Sequence, residues 1–243
     1  MRLTEYFDYS FIINLPDRKD RYRETIAEFR SVGMPLQEAG VIFFPAVKCE
    51  EAAGFPNAGA RGCFLSHMAV MQRAIEGKAR NVLIMEDDIA FYPRKWEYES
   101  VLVDQIKKER WDILYIGYRA DIGHAESGSL LPYAGQLITA HCYALNGTIM
   151  KQMLTFMQEV LKRPAGHPNG GPMHYDGAIQ TFRDQNPDVV TLLHVPALAY
   201  QRSSRTDVHP LRWMDQYPVI RALTAIARGA RNRLRRYRNS KGM

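Results

Sequence analysis

The fold is decided by residues 81–88, which read Asn-Val-Leu-Ile-Met-Glu-Asp-Asp. The first five of these residues do not alternate between polar and apolar types, a pattern typical of a central strand that is covered on both faces. The run then ends abruptly in Glu86, Asp87 and Asp88. Because ligands of open α/β sheets bind at the carboxyl ends of the strands, these acids are predicted to lie in a pocket.

Strands and helices alternate on either side of this stretch. Apolar runs predict further strands, and apolar residues that recur every three or four positions predict helices. The predicted strands are 9–15, 41–47, 111–117, 137–145 and 189–195, the predicted helices follow Asp17 and cover 62–75, 148–161 and 176–183, and a polar loop is predicted at 118–135. This order predicts one α/β domain over residues 1–215, an α/β/α sandwich with a mostly parallel central sheet.

The composition is that of a globular protein, with 243 residues of which 46% are apolar and 24% charged. It excludes disorder, collagen-like repeats and a small disulfide scaffold. The three cysteines are an odd number without a CxxC pair, which favours a reducing compartment over disulfides or a zinc ribbon. No stretch approaches the ~20 apolar residues of a membrane span, and the amino terminus lacks an apolar signal core. We therefore expect a cytoplasmic protein.

The positive charge is concentrated in one terminal segment. The net charge is +6, but residues from Val219 onward hold eight Lys and Arg and no acid, so residues 1–218 carry −2. This distribution argues against a nucleic-acid-binding surface. In 219–238 the apolar residues form one helical stripe and every arginine lies off it. The pattern predicts that 216–243 is a basic amphipathic segment that binds an anionic membrane, here the inner face of the cell membrane. A helix packed on the domain and a solvated tail are the alternatives.

The three acids at the end of the central strand predict a metal site. In an extended backbone Glu86 and Asp88 point to the same side and Asp87 to the other. Two carboxylates can hold a hard divalent cation, Mn²⁺ or Mg²⁺, together with substrate phosphates. Such an ion would neutralise charge that develops on a diphosphate leaving group. The alternatives are a solvated acidic turn and the N-cap of a following helix.

Several short motifs follow one another in a distinctive order. They are Asn14-Leu15-x-x-Arg18-x-x-Arg21, Gly62-Cys63-Phe64-Leu65-Ser66-His67, Val82–Asp88, Trp111–Tyr115, Thr139–Tyr143, Asp176, and Gln201 with Ser204 and Asp207. In order and spacing they resemble glycosyltransferase family 25, the family of bacterial lipooligosaccharide galactosyltransferases and collagen galactosyltransferase domains. The resemblance covers roughly residues 9–208. It implies a GT-A fold, a UDP-sugar donor (usually UDP-galactose), Mn²⁺ dependence and inversion at the anomeric carbon.

The resemblance also implies roles for individual residues. Glu86 and Asp88 would be the two acids of a DxD-type motif, with Asp88 on the metal and Glu86 on the metal or the donor ribose. Asn14, Arg18 and Arg21 would meet the nucleotide base or the diphosphate at the exit of the first strand. A solvated helix face is the alternative for the two arginines.

The pattern of the first predicted helix indicates which of its side chains are buried. The helix after Asp17 is expected to bury a face made of Tyr22, Ile26 and Phe29, and Arg21 projects away from that face. A place in the core is therefore not expected for Arg21.

The start of the helix at 62–75 is a second candidate for donor binding. A glycine-rich helix start, here with Gly62, exposes backbone N–H groups that suit an anion. Ser66 lies almost opposite the apolar stripe of this helix, so the core does not require it. His67 flanks the stripe and is expected to be a half-buried structural histidine, and Cys63 a small apolar filler.

An inverting transfer needs a base to take the proton of the acceptor hydroxyl. Asp176 follows a Gly/Pro-rich loop and is the candidate, although it suits the N-cap of a helix at 177–183 equally well. His194 and His209 are both candidates for a third metal ligand.

The predicted function is metal-dependent, inverting transfer of a sugar, galactose in the first place, from a UDP-sugar to a cell-surface glycan such as lipooligosaccharide. The alternative is a non-catalytic, membrane-associated module that binds a nucleotide or sugar. A phosphotransferase of the P-loop type is disfavoured because the sequence has no GxxxxGK[ST] motif.

Overall fold

The apolar run forms strand β3 (Asn81–Glu86) within a nine-stranded sheet. The structure is a computed structural model that describes residues 1–34, 36, 39–120, 122–123 and 126–202. The other strands of the described part are β1 (Tyr9–Asn14), β2 (Val41–Pro45), β4 (Ile89–Phe91), β5 (Ile113–Arg119), β6 (Ser129–Pro132), β7 (Ile138–Asn146), β8 (Thr191–Val195) and β9 (Ala199–Gln201).

Helices cover both faces of the sheet and make the predicted three layers. They are α1 (Leu3–Tyr6), α2 (Lys19–Ser31), α3 (Ala58–Glu76), α4 (Glu99–Ile106), α5 (Ile149–Lys162) and α6 (Tyr175–Gln185), with a 3₁₀ helix at Lys95–Tyr98. Successive side chains of β3 enter the two apolar cores in turn. Val82 and Ile84 lie in the core with α3, α5 and α6, whereas Leu83 and Met85 lie in the core with α1, α2 and α4. Each fully buried side chain of this kind contributes roughly 1.5–3 kcal/mol to folding, which explains why β3 is apolar throughout.

The sheet is mixed and mostly parallel, as predicted. Its strand order is β2-β1-β3-β7-β5-β8-β6, with β9 pairing with both β4 and β5. Strands β1, β2 and β3 are parallel, and β8 is parallel to β5. Strand β7 runs antiparallel to β3 and β5, and β6 runs antiparallel to β8. Within the described residues, five of the seven strands in this order therefore point the same way, and their carboxyl ends share one edge with the acids that follow β3.

Helix α3 begins earlier than the sequence predicts. Its N-cap is Asn57, whose side-chain oxygen accepts a hydrogen bond from the backbone N–H of Ala60 at 2.8 Å. Gly62 consequently lies inside the helix, so the prediction that it opens a glycine-rich anion site is wrong. A Cβ at Gly62 would lie 2.5 Å from the carbonyl oxygen of Val47. The glycine is needed for this close approach between α3 and the segment after β2.

The second half of the described chain contains two strands that the sequence analysis did not predict. Strand β6 lies within the predicted polar loop at 118–135, and β9 follows the last predicted strand. No helix in the described residues has the length and apolar character that crossing a bilayer requires. The predicted boundary at residue 215, the amphipathic segment 216–243 and His209 lie outside the described residues.

Candidate active site

Glu86 and Asp88 converge where β3 ends and the chain turns toward β4. The side-chain amide of Gln201, on β9, donates to Asp88 Oδ2 at 3.1 Å and to Glu86 Oε2 at 3.5 Å. The expectation that these two acids share one side is confirmed. We call Glu86 and Asp88 the acid pair.

Asp87 points the other way and is held from several sides. Its carboxylate accepts from Asn14 Nδ2 at 2.8 Å and from Arg21 at 2.6 Å. Its backbone carbonyl accepts from the Thr25 hydroxyl and from Arg202, each at 2.7 Å. These contacts join β1, α2 and the residue after β9 to the turn, so Asp87 fixes the backbone that carries the acid pair.

The inward face of α2 differs from the predicted one. Tyr22 is 41% exposed, whereas Thr25, Glu28 and Phe29 are buried. Arg21 lies on this inner side, because its ion pair with Asp87 compensates for the cost of burying the charge. The predicted face is therefore wrong for Tyr22, whereas Arg21 is half-buried and belongs to neither apolar core, as expected.

Within the acid pair Asp88 is buried and Glu86 is half-buried, and the nearby positive charge does not balance the two carboxylates. Burial raises the pKa of Asp88 to about 7, with a further contribution from the charge of Glu86. Burial likewise raises the pKa of Glu86 to about 7, and the charge of Asp87 adds to the shift. The positive charge of Arg21 opposes both shifts but does not cancel them.

One oxygen of the acid pair has no partner within the described residues. Asp88 Oδ1 is buried there and makes no hydrogen bond. A buried carboxylate oxygen without a hydrogen bond destabilises the folded chain unless a cation or a hydrogen-bond donor reaches it. Two carboxylates with a spare buried oxygen suit a hard divalent cation, so the donor set fits Mn²⁺ or Mg²⁺.

Asp176 lies in the first turn of α6, two residues after the N-cap His174. The alternative in which Asp176 caps a helix at 177–183 is therefore wrong, since the helix starts at Tyr175. Its Oδ2 accepts from the backbone N–H of Thr139 at 3.3 Å, and its Oδ1 accepts from that of Gly177 at 2.9 Å. Its charge contributes to the raised pKa of Glu86, which places the two carboxylates in the same electrostatic environment.

Three other predicted donor-binding residues are engaged within the fold. Asn14 holds Asp87, and Arg18, at the start of α2, pairs with Asp20 at 2.9 Å. Ser66 is fully buried: its hydroxyl donates to the carbonyl of Gly62 at 2.6 Å and accepts from the N–H of Val47 at 2.8 Å. The expectation that the core does not use Ser66 is wrong, because α3 is buried on more than its apolar stripe.

His194, a candidate metal ligand, and His67, predicted to be a structural histidine, have different surroundings. His194 is fully buried in β8 and its Nδ1 donates to the carbonyl of Pro196 at 2.8 Å, which agrees with a structural residue. His67 is fully buried rather than half-buried, and its Nε2 lies 3.4 Å from Glu86 Oε1. Its ring stacks on Tyr175, with 3.8 Å between the ring centroids. The sequence analysis missed this contact between His67 and the acid pair.

Part of the chain, including the acid pair, matches a model of a known protein family. Residues 57–165 match the family model described as "Glycosyltransferase family 25 (LPS biosynthesis protein)". Over these residues, a little under half of its length, the chain is similar to glycosyltransferase family 25. The match confirms the resemblance seen in the motifs. It runs from the N-cap of α3 to the loop after α5 and so contains the acid pair.

Relatives in family 25 are similar over much of this chain. A "Glycosyltransferase 25 family member" of Drosophila pseudoobscura pseudoobscura is 25% identical over 222 residues, which is 79% of this chain and 34% of that protein. Human "Procollagen galactosyltransferase 2" is 28% identical over 153 residues, 55% of this chain and 24% of that protein. Human "Inactive glycosyltransferase 25 family member 3" is 24% identical over 155 residues, 56% of this chain and 26% of that protein. The matches thus span about a quarter to a third of the length of these relatives.

Proposed function

We propose that this chain is a metal-dependent, inverting glycosyltransferase that moves galactose from UDP-galactose to a glycan acceptor. The observation that carries the proposal is the convergence of Glu86 and Asp88 on one side of the turn after β3, with Asp88 Oδ1 buried and unpartnered among the described residues. A bound Mn²⁺ or Mg²⁺ would be held by this acid pair and would offset the negative charge that develops on the diphosphate.

The chain's own residues supply the positioning and the proton transfer. The contacts of Asp87 with Arg21 and Asn14 hold the turn, so that the acid pair keeps one orientation. Asp176 acts as the general base and takes the proton of the acceptor hydroxyl. That oxygen bonds to the anomeric carbon from one side as the bond to the diphosphate oxygen breaks on the other, and UDP leaves with the electron pair.

The placement of Asp176 supports its role as the base. The backbone N–H groups of Thr139 and Gly177 hold its carboxylate, so its orientation does not depend on a mobile side chain. A carboxylate held in a fixed orientation, whose charge acts on Glu86, suits a group that must meet an acceptor at the donor's anomeric carbon.

The sugar and the acceptor are supported by the names of the relatives. One human relative is named a procollagen galactosyltransferase, and the family model is described as an LPS biosynthesis protein. Galactose and a lipooligosaccharide-type acceptor follow from these names by analogy.

A non-catalytic module is the second candidate, and one observation favours it. A human relative that matches 56% of this chain is named an inactive family member. The module would keep the fold and bind a nucleotide or sugar without transferring it.

A donor-hydrolysis screen distinguishes the two functions. The full chain is incubated with UDP-, GDP- and CDP-sugars, with Mn²⁺, with Mg²⁺ and with neither. We expect hydrolysis of UDP-galactose that requires the divalent ion. Asp176→Asn is expected to bind this donor and fail to transfer its sugar, while Asp184→Asn, an exposed acid on the same helix, stays active. Failure of every donor to be turned over or bound would refute the transferase.

The basic segment 219–238 is proposed to bring the chain to an anionic membrane surface on the cytoplasmic side, where a lipid-linked acceptor would be reached. These residues lie outside the described part, and the proposal rests on their sequence. We expect the full chain to float with anionic liposomes and a truncation after Pro218 to stay behind. Neutral liposomes are the control, and equal flotation of the two chains with anionic liposomes would remove the proposal.

A further inference from the structure

A second set of ligand-type side chains borders the acid pair on its inner side. Cys63 and His67 are one turn apart on α3, and both face Glu86 at the end of β3. The thiol sulfur, a ring nitrogen and a carboxylate oxygen of these residues all lie within 4.8 Å of one another. We call Cys63, His67 and Glu86 the thiol cluster. Its ligand types are sulfur, nitrogen and oxygen, whereas the acid pair offers oxygen alone.

The spacing within the thiol cluster approaches that of a tetrahedral zinc site. His67 Nε2 and Glu86 Oε1 are 3.4 Å apart. Two ligand atoms each about 2.0–2.1 Å from a tetrahedral zinc ion are themselves about 3.4 Å apart. The nitrogen and the oxygen therefore already have the spacing of a zinc site. The sulfur lies within 4.8 Å of the nitrogen and the oxygen. From that upper limit it would move about 1 Å toward them to form a zinc–sulfur bond of about 2.3 Å.

The ring of His67 is held in the orientation that a metal ligand needs. Its Nδ1 lies 3.0 Å from the hydroxyl of Tyr143, and that hydroxyl lies 2.5 Å from the hydroxyl of Tyr175. When Nδ1–H donates to Tyr143, the lone pair of Nε2 is directed at Glu86. Metal-binding histidines commonly have the second ring nitrogen hydrogen-bonded in this way, which fixes the tautomer and the ring. Stacking of His67 on Tyr175 adds a further restraint.

An ion can reach the thiol cluster from solvent. The side chain of Glu86 is 23% exposed, and Cys63 is half-buried. Glu86 thus stands at the entrance, with His67 fully buried behind it. Glu86 belongs to both groups: its Oε1 faces His67, and its Oε2 faces Gln201 beside Asp88. An ion in the thiol cluster therefore neutralises charge that the acid pair would offer to its own ion.

We propose that Cys63, His67 and Glu86 form a binding site for a thiophilic divalent cation of the Zn²⁺ class, distinct from the acid pair but sharing Glu86 with it. On binding, the Cys63 S–H bond breaks and its proton passes to solvent, and a sulfur–metal bond forms. His67 Nε2 and a Glu86 oxygen donate electron pairs, and a water completes four-fold coordination. Two divalent ions that share one carboxylate repel each other, so zinc weakens the binding of a hard cation at the acid pair.

Cobalt absorption tests the site without any measurement of transfer. Titration of the full chain with Co²⁺ is expected to give the near-ultraviolet band of thiolate-to-cobalt charge transfer, and Zn²⁺ is expected to abolish the band. Cys63→Ser should lose the band. Cys49→Ser, at a half-buried cysteine outside the cluster, and Asp88→Asn should both keep it. Absence of the band in the wild-type chain, or its persistence in Cys63→Ser, would overturn the proposal.

A competition experiment tests the shared carboxylate separately. Zn²⁺ is expected to displace Mn²⁺ from the wild-type chain at concentrations at least about tenfold lower than from Cys63→Ser, as read from the magnetic resonance signal of free Mn²⁺. Equal displacement from the two chains would show that zinc enters the acid pair itself, which contradicts antagonism through the thiol cluster. Failure of the wild-type chain to bind Mn²⁺ counts against the proposed transferase, while the cobalt band still decides the thiol cluster.

Discussion

Asp88→Asn is expected to lower the rate of galactose transfer by about 10³-fold or more, because a carboxylate ligand to a leaving-group cation contributes several kcal/mol to the transition state. The Asn side chain keeps the shape of Asp88 and can still accept from Gln201, so the loss reports charge rather than packing. Transfer is measured with UDP-galactose and Mn²⁺ at saturating concentrations. Asp104→Asn, at a carboxylate that is 71% exposed on α4, is the control and should retain wild-type activity.

The same variant is expected to become more stable when no metal is present. Burial raises the pKa of Asp88 to about 7 in the folded chain, well above the ordinary aspartate value of 3.8. Between these values the folded chain holds a proton that the unfolded chain has released, so the free energy of unfolding falls as the pH rises from about 4 to about 7. Asn at this position carries no such proton. At pH 8 with a chelator we therefore expect Asp88→Asn to exceed the wild type by on the order of 2 kcal/mol.

Urea unfolding at pH 8 and at pH 4 measures this difference. The stability gain should be present at pH 8, where Asp88 of the folded wild type is charged. It should nearly vanish at pH 4, where Asp88 of the folded wild type is protonated and therefore uncharged like Asn. A variant that is less stable than the wild type at pH 8 would show that its lost activity comes from a damaged fold.

Asp87→Ala is expected to have the largest effect on stability, a loss of about 3–5 kcal/mol. The substitution removes the 2.6 Å partner of the half-buried Arg21 guanidinium, leaving Asp88 at 4.0 Å, and it removes the acceptor of Asn14. Urea unfolding compares the variant with the wild type under conditions where both are folded. Asp20→Ala is the matched control, since it breaks the more exposed pair with Arg18 and should cost less than about 1 kcal/mol. Equal losses in the two variants would show that Asp87 does not anchor the turn.

The central strand and the acid pair could be predicted from sequence because local rules govern both. An apolar run without alternation must be covered on both faces, and β3 is. Alternation of side chains along a strand then places Glu86 and Asp88 together. The α/β class and most elements follow from the same periodicities.

The partners of the turn could not be predicted, because they arrive from distant parts of the chain. Gln201 and Arg202 lie more than a hundred positions from the acids that they contact. No local pattern marks them, and β9, which delivers Gln201, is only three residues long. In the sequence, only the resemblance to the family motif singles out Gln201.

Helix faces were misjudged where polar contacts override apolar periodicity. Arg21 turns inward because Asp87 compensates its charge, although Tyr22 is the more apolar residue. Ser66 is buried because its hydroxyl bonds to Val47 and Gly62. Apolar periodicity alone cannot anticipate a buried polar side chain whose partner lies on another element.

The central claim is that the acid pair holds a divalent cation together with the diphosphate of a nucleotide sugar. Its most direct test is a titration of Mn²⁺ followed by electron paramagnetic resonance, which detects the free ion, in the presence of UDP. The full chain is predicted to remove one Mn²⁺ per molecule from solution, and the double variant Glu86→Gln/Asp88→Asn to remove none. Equal uptake of Mn²⁺ by the two chains would contradict the claim.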